Sequence, residues 1–201
     1  MGLRTAYFAA GLIVAAAGAS LAFEMPFLRD EAVSTAAIQA GFSPGDSATQ
    51  LIIGAIDAAR HEILVQAFSF THRDIAAALR RAHRRGVNIE IVADRRQTLK
   101  LQNSMVPDLA NAGIPVRLDS QHDSAHDKVM IIDASKPGAT LITGSYNFTF
   151  AAQHRNAENV LAIRGQPELV AAYVENWRRH QRHAQPFRPL AVIGGGAAES
   201  P

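Results

Sequence analysis

The stretch from His126 to Asn147 gathers side chains that can act on a phosphate group. It contains two patterns, H-x-K-x₄-D at His126, Lys128 and Asp133, and G-S-x-N at Gly144, Ser145 and Asn147. Side chains two residues apart on a strand share a face, so His126 and Lys128 are expected to project into one space. A nucleophile or base, a fixed cation and neutral hydrogen-bond donors are what a catalyst needs to act on an anionic phosphodiester.

The two patterns together resemble the signature of the phospholipase D superfamily. The resemblance extends from Ser43 to about Arg182, and it looks closest to the small bacterial endonucleases that carry one such motif per chain. It implies an α/β fold, a mixed sheet flanked by helices on both faces. It also implies a homodimer, because the family's active site needs two histidines and this sequence has no second H-x-K.

The resemblance assigns a role to each polar residue of the site. His126 would attack phosphorus and form a phosphohistidine, while a second His126 from the partner chain would protonate the leaving oxygen. Lys128, Ser145 and Asn147 would bind the phosphate, and Lys128 and Asn147 are also counted as catalytic. Glu158 is our candidate for the carboxylate that orients His126, because the family commonly carries an acidic residue after G-S-x-N. The scheme needs no metal and no cofactor.

Two of these residues have a structural alternative. Asp133 completes the first pattern and is counted as catalytic, but an aspartate after a strand often caps a turn, which is the interpretation we favour for it. Glu158 has as its alternative an ion pair with Arg155 or Arg164. Both alternatives stay open on the sequence.

His122, Asp123 and Asp127 lie close together in the sequence, as metal ligands often do. Imidazoles and carboxylates in a loop more often face water, so we predict no metal site. Ser145 lacks the G-x-S-x-G pattern of a triad serine.

Arginine and lysine residues are the candidates for contacts with a nucleic-acid backbone. Arg95, Arg96 and Lys100 follow a predicted strand, at the sheet edge where α/β proteins usually bind ligands. Two further basic clusters end predicted helices, at 80–85 and 178–183, where they are typical of a solvated face. The aromatic residues Phe68, Phe70 and Tyr146 are predicted to be core or pocket wall.

Length and composition fit one domain of ordinary size. The chain has 201 residues, a formal net charge of +2 and no cysteine. The near-neutral charge excludes a polycation of the histone kind, so any affinity for nucleic acid must come from local patches. Without cysteine there is neither a disulfide framework nor a thiolate metal site.

The first 22 residues have the pattern of a signal peptide: a short positive region, an apolar run and small residues before a cleavage point after Ala22. We therefore expect export to the periplasm or the medium, with membrane anchoring through residues 5–23 as the alternative. The predicted organisation is a signal peptide at 1–22, a lead-in at 23–42, the catalytic domain at 43–185 and a disordered tail at 186–201.

Hydrophobic periodicity predicts an alternation of helices and strands across the domain. Predicted helices span 47–61, 73–85 and 167–182, the last with Leu169, Ala172, Tyr173 and Trp177 on one face. Predicted strands span 63–70 and 87–94, and the intervening helix implies that they pair in parallel. Shorter elements are a helix from about Pro107 and a strand at 115–118, then the strands of the two patterns, a helix or turn near 148–153 and a strand at 159–164.

Three functions from different classes follow. The first is an exported endonuclease that hydrolyses DNA or RNA without sequence preference. The second is a hydrolase of phospholipid or cardiolipin at a membrane, which an uncleaved N-terminal anchor would favour. The third is a noncatalytic nucleic-acid-binding module, which the complete set of signature residues disfavours.

Overall fold

The computed structural model describes residues 36–189. The predicted signal peptide, nearly all of the lead-in and residues 190–201 of the predicted tail lie outside this range, so those expectations stay predictions. Among residues 36–189, no helix combines the length and apolarity that crossing a bilayer requires.

An eight-stranded mixed sheet is the centre of the fold. Its strands are β1 (Ala37–Ser43), β2 (Glu62–Ala67), β3 (Asn88–Asp94), β4 (Val116–Asp119), β5 (Lys128–Ile132), β6 (Thr140–Gly144), β7 (Glu158–Arg164) and β8 (Gln185–Pro186). They lie side by side in the order β1-β7-β6-β5-β2-β3-β4-β8. β2, β3 and β4 run parallel, as predicted for the first two, and the other neighbours pair antiparallel.

Within residues 36–189, six helices accompany the sheet. They are α1 (Ser47–Ala58), α2 (Arg73–Arg84), α3 (Arg95–Lys100), α4 (Val106–Asn111), α5 (Phe150–His154) and α6 (Pro167–His183). The predicted helices agree with α1, α2, α4, α5 and α6 to within a few residues. α3 was not predicted, because the sequence after Arg95 has no clear apolar period.

The sheet separates two apolar cores, as the α/β prediction with helices on both faces requires. One core packs α1, α2, α4 and α5 against the sheet, and the other packs α6 against the opposite face. β5 shows the division within one strand, because Met130 and Ile132 belong to the first core and Val129 and Ile131 to the second.

The buried face of α6 differs from the predicted one. Val170 and Trp177 are buried, whereas Leu169 is 37% exposed and Ala172 is exposed. The prediction was wrong by one position at the start of the helix. Trp177 sets the register, since its indole N–H donates to the backbone oxygen of Val65 at 3.0 Å and fixes which side of the helix faces β2.

The chain does not leave the sheet at Pro186, where the disordered tail was predicted to begin. Gln185 and Pro186 pair with β4, and the Phe187 backbone N–H donates to the oxygen of Val116 at 2.9 Å. Phe187 also packs against the first core. The ordered part of the domain therefore extends a few residues beyond the predicted boundary.

The face of α6 can be tested with two neighbouring residues. Val170→Ala removes buried methyl groups and is expected to lower the free energy of unfolding by about 2 kcal/mol. Leu169→Ala, on the exposed side of the same turn, is expected to change it by less than about 0.5 kcal/mol. Urea unfolding of both variants checks this. A larger effect at Leu169 than at Val170 would show that the face predicted from the sequence is the buried one.

Candidate active site

A cleft of about 450 Å³ opens at one edge of the sheet and collects most of the residues of the two patterns. It is lined by His126, Lys128, Gly144, Ser145, Asn147 and Glu158. The edge consists of the carboxyl end of β6 and the amino ends of β5 and β7, which the antiparallel pairing places together. Residues that are 32 positions apart in the sequence, His126 and Glu158, thus share one cleft.

Lys128 is the first residue of β5, and His126 lies in the loop just before it. The prediction that both lie on a strand was therefore wrong for His126. The Lys128 ammonium donates to the backbone oxygen of His126 at 2.6 Å, and the Phe68 N–H donates to the oxygen of Asp127 at 2.9 Å. These hydrogen bonds continue the sheet by one residue before the start of β5 and fix the backbone that carries His126.

The imidazole of His126 is exposed and packs on the ring of Phe68. The two ring centroids are 4.4 Å apart with an edge-to-face angle of 62°, and the Lys128 ammonium lies 5.2 Å from the same phenyl centroid. Phe68 thus packs behind two residues of the cleft, whereas Phe70 and Tyr146 are buried in the core. A rigid aromatic edge restricts the His126 ring without using either ring nitrogen.

Lys128 is buried, with 8% of its surface exposed. Burial lowers the pKa of its ammonium group, and the nearby carboxylates of Asp127 and Glu158 act in the opposite direction. The two acidic neighbours favour the charged form of a cation that has little water around it. Lys128 is therefore suited to binding an anion at a fixed point.

Gly144 permits the close approach of β6 and β7 beside the cleft. A Cβ atom at this position would overlap the backbone carbonyl of Asn159. That same carbonyl accepts hydrogen bonds from the N–H groups of Ser145 and Tyr146, at 3.1 and 3.3 Å. Any larger residue at 144 would push apart the turn that presents Ser145.

Glu158 reaches the cleft, but its carboxylate contacts Ser145 and Asn156 and not His126. The Ser145 hydroxyl donates to Glu158 Oε2 at 2.5 Å, and the Asn156 amide donates to Oε1 at 2.9 Å. Among residues 36–189 no hydrogen bond involves the His126 ring, so the orienting role of Glu158 stays a prediction. The alternative ion pairs of Glu158 with Arg155 or Arg164 are likewise not among the salt bridges of this part of the chain.

Asn147 lines the cleft with unused hydrogen-bonding capacity. Its amide oxygen is buried and has no partner within the part of the chain that the structure describes. Buried polar groups normally have a partner, so the Asn147 amide is a group that a ligand can satisfy.

Asp94 was missed by sequence analysis, although it fixes the loop that carries His126. Its buried carboxylate accepts the N–H of Gln97 at 2.7 Å, which caps α3, and the N–H of Ala125 at 2.9 Å. Gln66, also missed, donates to Asp127 at 3.3 Å. Neither residue lies in a recognisable pattern, and an aspartate at the end of a predicted strand was the only available signal.

The structure does not bring Asp133 into the cleft. Asp133 follows the far end of β5, and its carboxylate accepts the backbone N–H groups of Arg60, His61 and Glu62 at 2.9, 2.7 and 2.9 Å. It also adopts a positive φ of 52°, which aspartate tolerates better than most residues. Asp133 therefore caps the start of β2, which agrees with the structural alternative.

The predicted backbone-binding residues lie at the carboxyl end of β3. Arg95, Arg96 and Lys100 are exposed on α3, and Arg96 binds the carboxylate of Asp123 at 3.2 Å. The basic cluster on α2 has a structural use instead, because Arg80 pairs with Asp108 and Arg81 with Asp57.

His122, Asp123 and Asp127, which were weighed as a metal site and not predicted to form one, have separate partners. The Asp123 carboxylate accepts a hydrogen bond from Arg96, the Asp127 carboxylate accepts one from Gln66, and the His122 ring is hydrogen-bonded to Asp119. No metal site arises from these three residues.

The chain matches one protein family and is similar in sequence to named relatives over about two thirds of its length or more. Residues 52–180 match the family described as "Cardiolipin synthase, PLD-like domain". A protein of Rickettsia conorii named phospholipase D is 41% identical over 145 residues, which cover 72% of this chain and 70% of the relative. The human mitochondrial cardiolipin hydrolase is 34% identical over 139 residues, 69% of this chain and 53% of that protein.

Among solved structures, the phospholipase D family member Nuc from Salmonella typhimurium has a similar fold and sequence. It superposes with a TM-score of 0.72 and 39% identity, over 76% of this chain and 99% of the Nuc chain. The sheet and helices described above thus correspond to nearly the whole of that protein.

The capping role of Asp133 predicts a pH dependence of stability. Burial acts to raise the pKa of Asp133, but the hydrogen bonds from Glu62, Arg60 and His61 outweigh it and lower the pKa below the usual value. Because the pKa in the folded state is the lower one, this stabilisation is present above pH of about 4 and is lost as the pH falls. Asp133→Asn should reduce the free energy of unfolding by about 1 to 3 kcal/mol at pH 7, with a smaller deficit in acid.

Asp123→Asn is the matched control, because the Asp123 side chain is 98% exposed. Urea unfolding of wild type and both variants from pH 3 to 8 checks the expectation. If Asp133→Asn were as stable as wild type at pH 7 but had lost catalysis, the result would support a catalytic role for Asp133 and contradict the capping role.

Proposed function

Because this chain belongs to the phospholipase D superfamily, we propose that it is an endonuclease, a phosphodiesterase that cuts the backbone of nucleic acids without a metal in the chemical step. The observation that carries the proposal is the cleft that joins an exposed His126 to the buried cation Lys128 and to Asn147, whose amide oxygen has no partner among the described residues. These are a nucleophile, a charge and a neutral hydrogen-bonding group around one space. The similarity to Nuc over 99% of its chain supports the same type of site.

In the proposed first step, a ring nitrogen of His126 attacks phosphorus and the bond from phosphorus to the leaving oxygen breaks. His126 of the partner subunit gives a proton to that oxygen. In the second step water attacks the phosphohistidine, the partner histidine takes the proton from water, and the nitrogen–phosphorus bond breaks. His126 and the second histidine return to their starting states, so the cycle balances.

The other residues of the cleft stabilise charge. Lys128 neutralises the non-bridging oxygens, on which negative charge is concentrated in the transition state. Asn147 supplies a neutral contact, and Ser145 is held in place by Glu158 and by the Asn159 N–H. Glu158 is proposed to orient His126 once a phosphate displaces part of its contact with Ser145.

A homodimer is part of the proposal because the cleft contains only half of the machinery. His126 is the single histidine among the residues that line the described cleft. A second proton-transfer group is still needed on the leaving-group side. A twofold-related copy with the same open cleft would supply it and would exclude water from both.

A polar groove beside the cleft favours nucleic acid over lipid. It has a volume of about 480 Å³, and Asn147 lines both the groove and the cleft. Its polar lining includes Gln97, Asn103, Arg155 and Asn156. Such a surface suits the charged backbone of an extended strand better than the acyl chains of a lipid. Arg95, Arg96 and Lys100 are proposed to extend the positive surface on α3.

Hydrolysis of phospholipid or cardiolipin is the second candidate. It is favoured by the names of two relatives, a phospholipase D that is 41% identical and a cardiolipin hydrolase that is 34% identical. The chemistry at phosphorus would be the same, so only the substrate groove separates the two candidates. A noncatalytic binding module is the least favoured, because the cleft keeps its complete set of reactive residues.

The proposed nucleophile predicts the effect of His126→Asn. Turnover is expected to fall by about 10³-fold or more, because the reacting nitrogen is removed. His154→Asn, an exposed histidine on α5 outside the cleft, is the control and should leave turnover unchanged. The substrates are plasmid DNA, single-stranded RNA and cardiolipin-containing vesicles, all with chelator present.

The three candidates give different results. Cutting of DNA or RNA that His126→Asn abolishes supports the proposal, and trapping of an acid-labile phosphoenzyme supports its intermediate. Turnover of vesicles alone would support the second candidate, and binding without turnover the third. Undiminished nuclease activity in His126→Asn would contradict the mechanism.

The shared site predicts that activity depends on the square of the fraction of wild-type chains. When wild-type and His126→Asn chains are co-expressed in equal amounts, only wild-type homodimers are complete, so about one quarter of the activity should remain. If each chain worked alone, about one half would remain. Light scattering on the same samples establishes the dimer, and an active monomer would contradict the shared site.

A further inference from the structure

A second group of reactive side chains lies at the same edge of the sheet, outside the cleft. Asp119 ends β4, His122 lies in the following loop, and His180 and His183 are in the last turn of α6. The basic end of this helix was predicted from the sequence to be a solvated face. The structure instead turns two of its histidines toward one carboxylate.

The three imidazole side chains converge on the Asp119 carboxylate. Asp119 Oδ2 lies 2.8 Å from His180 Nδ1, 3.0 Å from His183 Nε2 and 3.1 Å from His122 Nδ1. One ligand atom from each of the four residues lies within 4.8 Å of all the others. In a tetrahedral zinc site with bonds of about 2.0 to 2.2 Å, ligand atoms are about 3.4 Å apart, so modest side-chain rotations suffice.

We propose that Asp119, His122, His180 and His183 bind one Zn²⁺ ion. Three imidazole nitrogens and one carboxylate oxygen are ligands that Zn²⁺ accepts, whereas Ca²⁺ and Mg²⁺ require mainly oxygen ligands. No metal was predicted from the sequence, and this set could not have been found there, because the four residues are spread over 65 positions and follow no ligand-spacing pattern.

Burial within the cluster agrees with a bound cation. The Asp119 side chain has no exposed surface, and those of His180 and His183 are 14% and 23% exposed. A buried carboxylate needs compensation, and a divalent ion provides it more completely than three imidazoles alone. The His122 side chain is 46% exposed and leaves a path from solvent.

The site would be structural and not catalytic. Four protein ligands complete a tetrahedral zinc site, so no position remains for a reacting water molecule. The ion would join the end of β4, the last turn of α6 and the loop that leads to His126. None of its ligands lines the His126 cleft, so the proposal is independent of the proposed function.

The test uses the full chain, stripped of metal by chelator and dialysed. Isothermal titration with Zn²⁺ should show one ion per chain, and Co²⁺ should give the strong visible absorption of a four-coordinate site. At free Zn²⁺ about 100-fold above Kd, the midpoint of thermal unfolding should rise by about 5 to 10 °C. The readouts are metal binding and thermal stability, not activity. Nuclease activity is measured separately, at a temperature well below the unfolding midpoint of the metal-free chain, so that loss of zinc does not unfold the enzyme during the assay.

Variants locate the site. The double variant His180→Gln with His183→Gln should lose at least about 100-fold in affinity and the whole thermal shift, since two of four ligands are removed. His154→Gln, also an exposed histidine on a helix, should bind as wild type does. If the double variant is unfolded by circular dichroism, His122→Gln in the loop carries the same comparison.

Zinc binding that survives in both His122→Gln and the double variant would overturn the proposal. So would a metal-free wild type that gains no thermal stability from Zn²⁺. In that case the four residues form a hydrogen-bonded cluster only.

Discussion

The antiparallel pairing of β5 with β2 is the constraint on which the cleft depends. It joins the parallel strands β2, β3 and β4 to the antiparallel strands β5, β6 and β7, with Ala67 opposite Lys128. Because β5 runs against both of its neighbours, its amino end meets the carboxyl ends of β2 and β6. Phe68, Lys128 and Gly144 are thereby brought to one edge. A sheet of uniformly parallel strands would place the two halves of the signature at opposite edges.

Two buried carboxylates at this edge hold the loop that carries His126. Asp94 and Asp119 are direct partners at the ends of β3 and β4. Asp94 accepts the N–H of Ala125, and Asp119 accepts the N–H of Gln121 at 3.0 Å besides facing three histidines. Two adjacent like charges are tolerated only because each is surrounded by donors. The hydrogen bonds that the two carboxylates accept offset the cost of burying them and fix the loop near both of its ends.

The sequence predicted the elements well where the information was local. Apolar periodicity predicted α1 and α2, and alternation with the two patterns predicted β5 and β6. Prediction failed where a long-range contact decides. The hydrogen bond from Trp177 to Val65 determines which face of α6 is buried. The Asp133 carboxylate binds the backbone N–H groups of Arg60, His61 and Glu62 and therefore lies outside the cleft. His122 and His180 come together only because β8 returns the end of α6 to β4.

The two signature side chains differ in burial, and this difference bears on the proposed shared site. Lys128 is buried and tied to the backbone of His126, so its charge is preorganised at no cost in side-chain freedom during the reaction. His126 is exposed, and its ring packs against the ring of Phe68. An exposed imidazole exchanges protons with water, and water competes with the imidazole as the group that attacks phosphorus. In the proposed dimer, the surface of a second copy would cover His126 and would also bring a second imidazole to the phosphate.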